Sequence, residues 1–282
     1  MSFVNPLITT SQEEPFVADI SNFSTCKNRL CKSKGSAILF CLSGWSEITI
    51  DLEKYRIVKN TQIVLLIDTV ICFEEISDDF SIFVFSFCGD MLREACLRLD
   101  SSFFHFLKNK PCYTLPEEFT GAVKGLMAAT TTIYADRANR FRYQIARNHL
   151  QCFLLDIYDK CYRFFSVQEI EGGDRKKQLF EKFMALVHEN STVQREVSFY
   201  ADKLCISTKY LTGICRKVTG DSAKKIIDDF AALEIKVLLQ STELNIQEIA
   251  DYLHFPDQSY LGRYFKRHEG MSPIEYRNSL NP

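Results

Sequence analysis

The chain has 282 residues, of which 46% are hydrophobic and 25% charged, with 34 Lys+Arg against 36 Asp+Glu and a net charge of −2. That length suggests two domains of ordinary size, and the composition is that of a soluble globular protein able to bury a core. It excludes a membrane span, since no apolar run is long enough, and it excludes a global basic bias toward nucleic acid.

The opening stretch, MSFVNPLITTSQEEPF, lacks a basic region followed by an apolar core, so no secretory signal is expected and the chain is read as cytoplasmic. Eleven cysteines, an odd number with no CxxC pair, give neither a zinc site nor a disulfide framework. Most are expected to be small, reduced core residues.

Residues up to about Arg29 read as irregular, with an edge strand near Phe16–Ile20. From Ser36 the texture becomes β. Ala37–Leu42, Ser46–Leu52, Tyr55–Val58, Gln62–Ile67 and Phe80–Phe87 are short runs rich in Ile, Val, Leu and Phe, separated by turn residues such as Ser43-Gly44, Lys59-Asn60 and Ser77-Asp78-Asp79. Ile48, Ile50 and Leu52 alternate with polar neighbours, as a half-buried strand should. Strands at this spacing predict a small antiparallel barrel or jelly roll.

An enzyme built on such a barrel finds little support. Metal-dependent cupins hold their ion with closely spaced histidines and a carboxylate, whereas the first histidine here is His105, after the last predicted strand. Glu47, Glu74 and Glu75 therefore have no imidazole partner in the barrel. No Gly-x-Ser-x-Gly elbow and no phosphate-cradling glycine loop occurs. Cys72 and Cys88 read as redox-sensitive or as buried structural thiols, and Trp45 as lining a pocket or packing a turn.

Asp90–Leu99 and Phe103–Lys108 are predicted helices covering the barrel, followed by longer ones over Glu117–Tyr134 and Arg140–Phe164. In the last, Leu150, Phe153, Leu154, Ile157, Cys161, Phe164 and Phe165 make a broad apolar stripe, which either packs on the barrel or forms a dimer interface. Glu171-Gly172-Gly173-Asp174 reads as a linker. A helix over Arg175–His188 then opens the second domain, with Leu179, Phe183, Leu186 and Val187 inward.

Beyond this helix, one pattern occurs twice. Val197, Tyr200, Ala201, Leu204 and Ile206 precede Ile246, Ile249, Ala250, Leu253 and Phe255 by 49 residues each, and Leu211 and Gly220 precede Leu261 and Gly270 by 50. The extra residue falls in a turn. In the second copy Asn245 and Glu248 form a capping box, Pro256 ends the first helix, Asp257 begins the next, and Gly270 stops it. Each copy, at 197–219 and 246–269, describes a helix-turn-helix, whose bland alternative is a packed hairpin with a solvated face. The basicity is local: Lys209, Arg216 and Lys217 in the first copy and Arg263, Lys266 and Arg267 in the second stand without neighbouring acids. Between the copies, Ser222–Gln240 reads as a rod of roughly 27 Å, suited to holding two recognition helices about one DNA turn apart.

Ile249-Ala250, Phe255, Asp257, Ser259, Phe265-Lys266, Gly270, Ser272-Pro273 and Glu275-Tyr276-Arg277 together resemble the second helix-turn-helix of the AraC/XylS family of bacterial transcription regulators. The departures are His254, where the family usually has glycine, Ala231, where it has arginine, and Ile235, where it has alanine. The resemblance implies base-reading places at Lys209, Thr212, Gly213, Gln258, Ser259, Gly262 and Arg263. Arg263 is suited to guanine and Gln258 to adenine. Ser207, Tyr210, Arg216, Lys217, Lys266 and Arg267 are the expected phosphate contacts, which orient without specifying.

The expected architecture is thus α+β. Residues 1–170 make a cupin-like β-barrel (jelly roll) sensor with a helical dimerisation segment, and 174–282 an all-α domain of two helix-turn-helix motifs joined by a long helix. The expected function is effector-controlled, sequence-specific DNA binding in transcription regulation; the rival is a ligand-independent regulator whose N-terminal half only dimerises or binds a protein. The expected partners are double-stranded promoter or operator DNA and a second copy of the chain as a homodimer. A small-molecule effector and RNA polymerase are further candidates, and no cofactor, metal or membrane is expected.

Overall fold

Apolar runs too long for one-sided burial dominate the first half, and the fold accounts for them. The computed structural model describes residues 10–11, 13–96, 99–171 and 175–280, and the chain divides into two compact units at the Gly172–Gly173 junction. The expected linker residues Gly172, Gly173 and Asp174, and the first nine residues on which the reading of the N-terminus rests, lie outside the described residues.

The first unit is built from β1 (Phe16–Ser21), β2 (Cys31–Lys32), β3 (Ser36–Ser43), β4 (Trp45–Ile50), β5 (Glu53–Val58), β6 (Thr61–Leu65), β7 (Val70–Ile76), β8 (Ser81–Phe87) and β9 (Cys112–Thr114). One antiparallel sheet has the order β1-β8-β3-β6-β9, and a second has the order β2-β7-β4-β5. Of the barrel and jelly roll expected, the jelly-roll form is found: two separate sheets lie face to face, with no strand pairing closing one onto the other among the described residues. Leu39, Cys41, Ile63, Ile82 and Val84 of the first sheet meet Ile48, Ile57, Ile71 and Phe73 of the second. The opposite face of the first sheet, with Ile38, Phe40, Phe83, Phe85 and Phe87, is covered by helices. Burial on both faces removes the polar alternation from β3, β6 and β8, whereas β4 keeps it.

The same effect hid β7. VICFEEI carries Val70, Ile71, Cys72 and Phe73 in one buried run without alternation, and its register against β4 and β2 defines it as a strand. The β4–β5 hairpin turns on Asp51, and the β5–β6 and β6–β7 links between the two sheets turn on Asn60 and Asp68, all with positive φ, as short polar side chains permit. Gly44 is required between β3 and β4: at φ 68° a Cβ there would come within 2.5 Å of Ser77 Oγ and 2.7 Å of the Phe80 backbone.

Helices α1 (Gly89–Ala95), α2 (Ser101–Asn109), α3 (Gly121–Ala135), α4 (Arg142–Phe164) and α5 (Val167–Glu171) complete this unit. Helix α4 lays Ala146, Leu150, Phe153, Leu154, Ile157 and Cys161 against the first sheet, with the Phe153 ring 5.8 Å from that of Phe85. Of the two uses considered for this stripe, it serves packing within its own unit, so it is not a free dimerisation face. The second unit is helical: α6 (Arg175–Asn190), α7 (Val197–Lys203), α8 (Thr208–Thr219), α9 (Ala223–Ser241), α10 (Ile246–Tyr252), α11 (Gln258–Glu269) and α12 (Pro273–Ser279). No helix among the described residues is long and apolar enough to cross a membrane.

Leu154 is 1% exposed inside the sheet–helix core. Leu154→Ala should lower the stability of the first unit by about 2–5 kcal/mol through lost burial and the cavity left behind. Urea unfolding followed by fluorescence should show the lowered midpoint equally at low and high protein concentration, since the stripe serves one chain.

Candidate nucleic-acid interface

The internal repeat is visible in the backbone bond by bond. In the first copy Cys205 takes φ 54° and Ile206 N–H donates to the Ala201 carbonyl; in the second His254 takes φ 53° and Phe255 N–H donates to the Ala250 carbonyl. Each turn therefore places a non-glycine residue in the left-handed region, at a strain of about 1–3 kcal/mol that the packed surroundings over-determine. Next comes a capped helix. Ser207 accepts from the Tyr210 N–H at 3.2 Å and Asp257 from the Tyr260 N–H at 2.7 Å, each filling one orphan donor of the first turn. Both helices stop at a left-handed glycine, Gly220 at φ 85° and Gly270 at φ 78°. Serine then caps each following helix, Ser222 on the Lys225 N–H and Ser272 on that of Glu275.

These starts and stops set which side of α8 and α11 faces out. Leu211, Ile214 and Cys215 of α8 are buried, and so are Leu261, Tyr264 and Phe265 of α11. The opposite face of α8 exposes Lys209, Tyr210, Gly213, Arg216 and Lys217, with Ser207 exposed at its cap and Thr212 half-buried. On α11 Gln258, Ser259, Arg263, Lys266 and Arg267 are exposed and Gly262 is half-buried. The guanidinium of Arg263 lies 6.0 Å from the Tyr260 ring centroid and that of Arg267 5.7 Å from that of Tyr264. Around Gly213 and Gly262 nothing lies within 4 Å of where a Cβ would stand, so the fold itself does not call for glycine at either place.

Helix α9 joins the copies and is buried almost all round. Ala223, Ile226, Ile227 and Phe230 pack with α6, α7 and α8, and Ala231, Ile235 and Leu239 with α10 and α11. Ala231 and Ile235, the two departures from the family pattern in this helix, thus belong to the core of the second copy. One charged residue, Asp228, is buried among them. Its carboxylate accepts from Tyr264 Oη at 2.9 Å and lies 3.0 Å from Lys224 Nζ, with His268 Nε2 at 3.8 Å. Burial, with this carboxylate alongside, pushes the Tyr264 phenol well above its ordinary value, so it stays a donor.

Sequence reasoning missed this polar centre, whose signal was an acid in an otherwise apolar helix. It also missed Tyr260, which occupies in the second copy the place of Tyr210 and is similarly exposed. In the first unit, Glu74 is held by Lys54 at 2.7 Å and Thr49 at 2.6 Å. Burial pushes the Cys72 thiol up to about 11, away from thiolate chemistry at neutral pH. Trp45 starts β4 and carries the Arg56 guanidinium 4.9 Å from its ring.

Residues 200–279 match the family model described as a helix-turn-helix domain. The Msm operon regulatory protein of Streptococcus mutans is 28% identical over 110 residues, 39% of this chain and 40% of that protein. The arabinose operon regulatory protein of Escherichia coli is 30% identical over 82 residues, 29% of this chain and 28% of that one. The matched stretch thus spans well under half of either relative. Among solved structures, ToxT of Vibrio cholerae bound to (E)-4-(8-methylnaphthalen-1-yl)but-3-enoic acid superposes with a TM-score of 0.51 at 15% identity, covering 95% of this chain and 100% of that one. That likeness is one of fold, extending over both units.

The phenol–carboxylate contact fastens α11 to α9. Tyr264→Phe should cost about 1.5–3 kcal/mol, the range for a hydrogen bond to a charged group. Chemical denaturation of the full chain should show the loss in the transition of the helical unit and not in that of the β unit.

Proposed function

The C-terminal helices of this chain belong to the AraC/XylS family of transcription regulators, and from that premise we propose that the protein regulates transcription by binding specific double-stranded DNA under the control of an effector at its N-terminal unit. The observation that carries the reading is the presentation, on two similarly capped helices, of polar and basic faces, with no acid between Ser207 and Val218 or between Gln258 and His268. A recognition helix meets base edges from its N-terminal part, where Lys209, Thr212 and Gly213 stand in α8 and Gln258, Ser259, Gly262 and Arg263 in α11. Arg263 offers a two-pronged donor to guanine, and Gln258 a donor–acceptor pair to adenine. Ser207, Tyr210, Arg216, Lys217, Lys266 and Arg267 contact phosphates and fix the register.

A small-molecule effector is the reading for the first unit, supported by its likeness in fold to ToxT, which has been solved with a carboxylic acid bound. The chain acts in the cytoplasm as a binding protein, not an enzyme, with RNA polymerase as its downstream partner. Homodimerisation would use surface other than the stripe from Leu150 to Cys161, which is buried within one chain.

DNA selected from a random pool by the full chain supplies the test. On that site Arg263→Ala should cost about 1–3 kcal/mol and relax preference at one base pair. Lys266→Ala should instead weaken selected and random DNA alike and flatten the salt dependence by about one counterion. Equal weakening of selected and random DNA by Arg263→Ala would remove its base-reading role, and failure to enrich any sequence would remove the functional reading.

A further inference from the structure

Arg195 lies between α6 and α7, ahead of the first helix-turn-helix, yet most of its side-chain contacts go to the second. Nη1 donates to the carbonyls of Thr192 at 2.5 Å and Leu253 at 2.9 Å, and Nη2 to the carbonyl of His254 at 2.8 Å. The guanidinium carbon sits 3.9 Å from the centroid of the Phe255 ring, itself a buried residue of the second turn. Leu253 and His254 follow α10, where helix carbonyls lack partners and the helix dipole is negative, so a cation with a fork of donors is suited to the place. The main chain of Arg195 is held as well. Its carbonyl accepts from Lys224 Nζ at 2.9 Å, and Lys224 leads through Asp228 to Tyr264 of the second recognition helix.

The internal repeat shows that this contact is not a property of every such unit. By the 49-residue offset the place of Arg195 falls in the second copy on Leu244, which packs on the apolar core of its own copy. The repeat is broken where the first copy touches the second.

Magnitudes say what the contact is for. The 19 residues of α9 span about 28 Å, so a 10° bend in the helix would displace its far end by about 5 Å. Hydrogen bonds to base edges tolerate a few tenths of an ångström. A single connecting helix therefore leaves more play than two readers on one duplex can accept.

We propose that Arg195 is a positioning residue that locks the turn of the second helix-turn-helix to the entry of the first, so that both recognition helices act as one rigid body. Its consequence for DNA rests on the function proposed above; the lock itself does not. Removing it frees the second reader to swing about α9 while each helix pair keeps its own core. Lysine at this place retains a charge at the helix end but loses the fork and the planar stack, so it restores the lock only in part.

The test uses the full chain with a fluorophore pair at the exposed positions Val218 and Met271, introduced as non-natural amino acids because of the eleven cysteines. In the free protein the wild type should give a narrow distance distribution, Arg195→Ala a broad one at unchanged helical content, and Arg195→Lys an intermediate one. Should Arg195→Ala lose helical content, Phe255→Leu, which removes the stack and keeps the apolar fill, should broaden the distribution instead. On DNA selected by the wild type, Arg195→Ala should lose about 10- to 100-fold on the complete site and less than about twofold when one half-site is scrambled, as expected when two linked contacts become independent. Unchanged distance distributions in Arg195→Ala or Phe255→Leu would overturn the lock. So would equal losses on complete and halved sites, which would assign Arg195 to the folding of its own copy. A broadened distribution in a chain whose wild type selects no DNA would sustain the lock and overturn the functional reading alone.

Discussion

Burial of α9 on nearly every side is the constraint on which the second unit depends. An amphipathic helix has one partner; this one has two, and the change from one to the other falls between Phe230 and Ala231. Neither helix-turn-helix has a core of its own without its half of α9. Their orientation therefore follows from the packing of a single helix, and contacts outside that helix, through Asp228 and Arg195, limit how far it can bend. Within α9 only Lys225 is exposed, and the helix is the shared interior of two small domains that are each too small to enclose one.

The first unit rests on a different sharing. Its five-stranded sheet is covered by helices on one face and by the second sheet on the other, so its strands contribute to two cores at once. Helix α4 closes the outer of these. That explains why a stripe of apolar residues that looks available in the sequence is already occupied in the structure. The helix keeps only scattered apolar residues outside, such as Leu155 and Phe164.

How legible each feature was depended on whether its cause is local. Caps are local: Asn245 with Glu248 and Ser272 with Glu275 form reciprocal pairs in the structure, as three-residue spacing alone suggested. Helical periodicity is local too, so the inward and outward faces of α11 were readable. Strand β7 was missed because double-sided burial erases its period, and β9 because three residues carry no pattern. Barrel and jelly roll stayed open alternatives because strand number does not reveal whether the edges of two sheets pair. Arg195 was invisible for the plainest reason: its partners are 58 and 59 residues away, and nothing in the sequence around it marks a contact at that distance.

The empty space around Gly213 and Gly262 bears on heredity more than on mechanism. Most positions in a folded protein are under double jeopardy, because a change that alters binding also disturbs packing. At these two, on the outward faces of α8 and α11, an added Cβ would meet no neighbouring atom within 4 Å, and replacing glycine by alanine inside a helix favours the helix by about 1 kcal/mol. Mutation can therefore explore new contacts there without eroding the scaffold. Descendants of this chain could acquire new preferences one residue at a time, with the fold as a fixed inheritance.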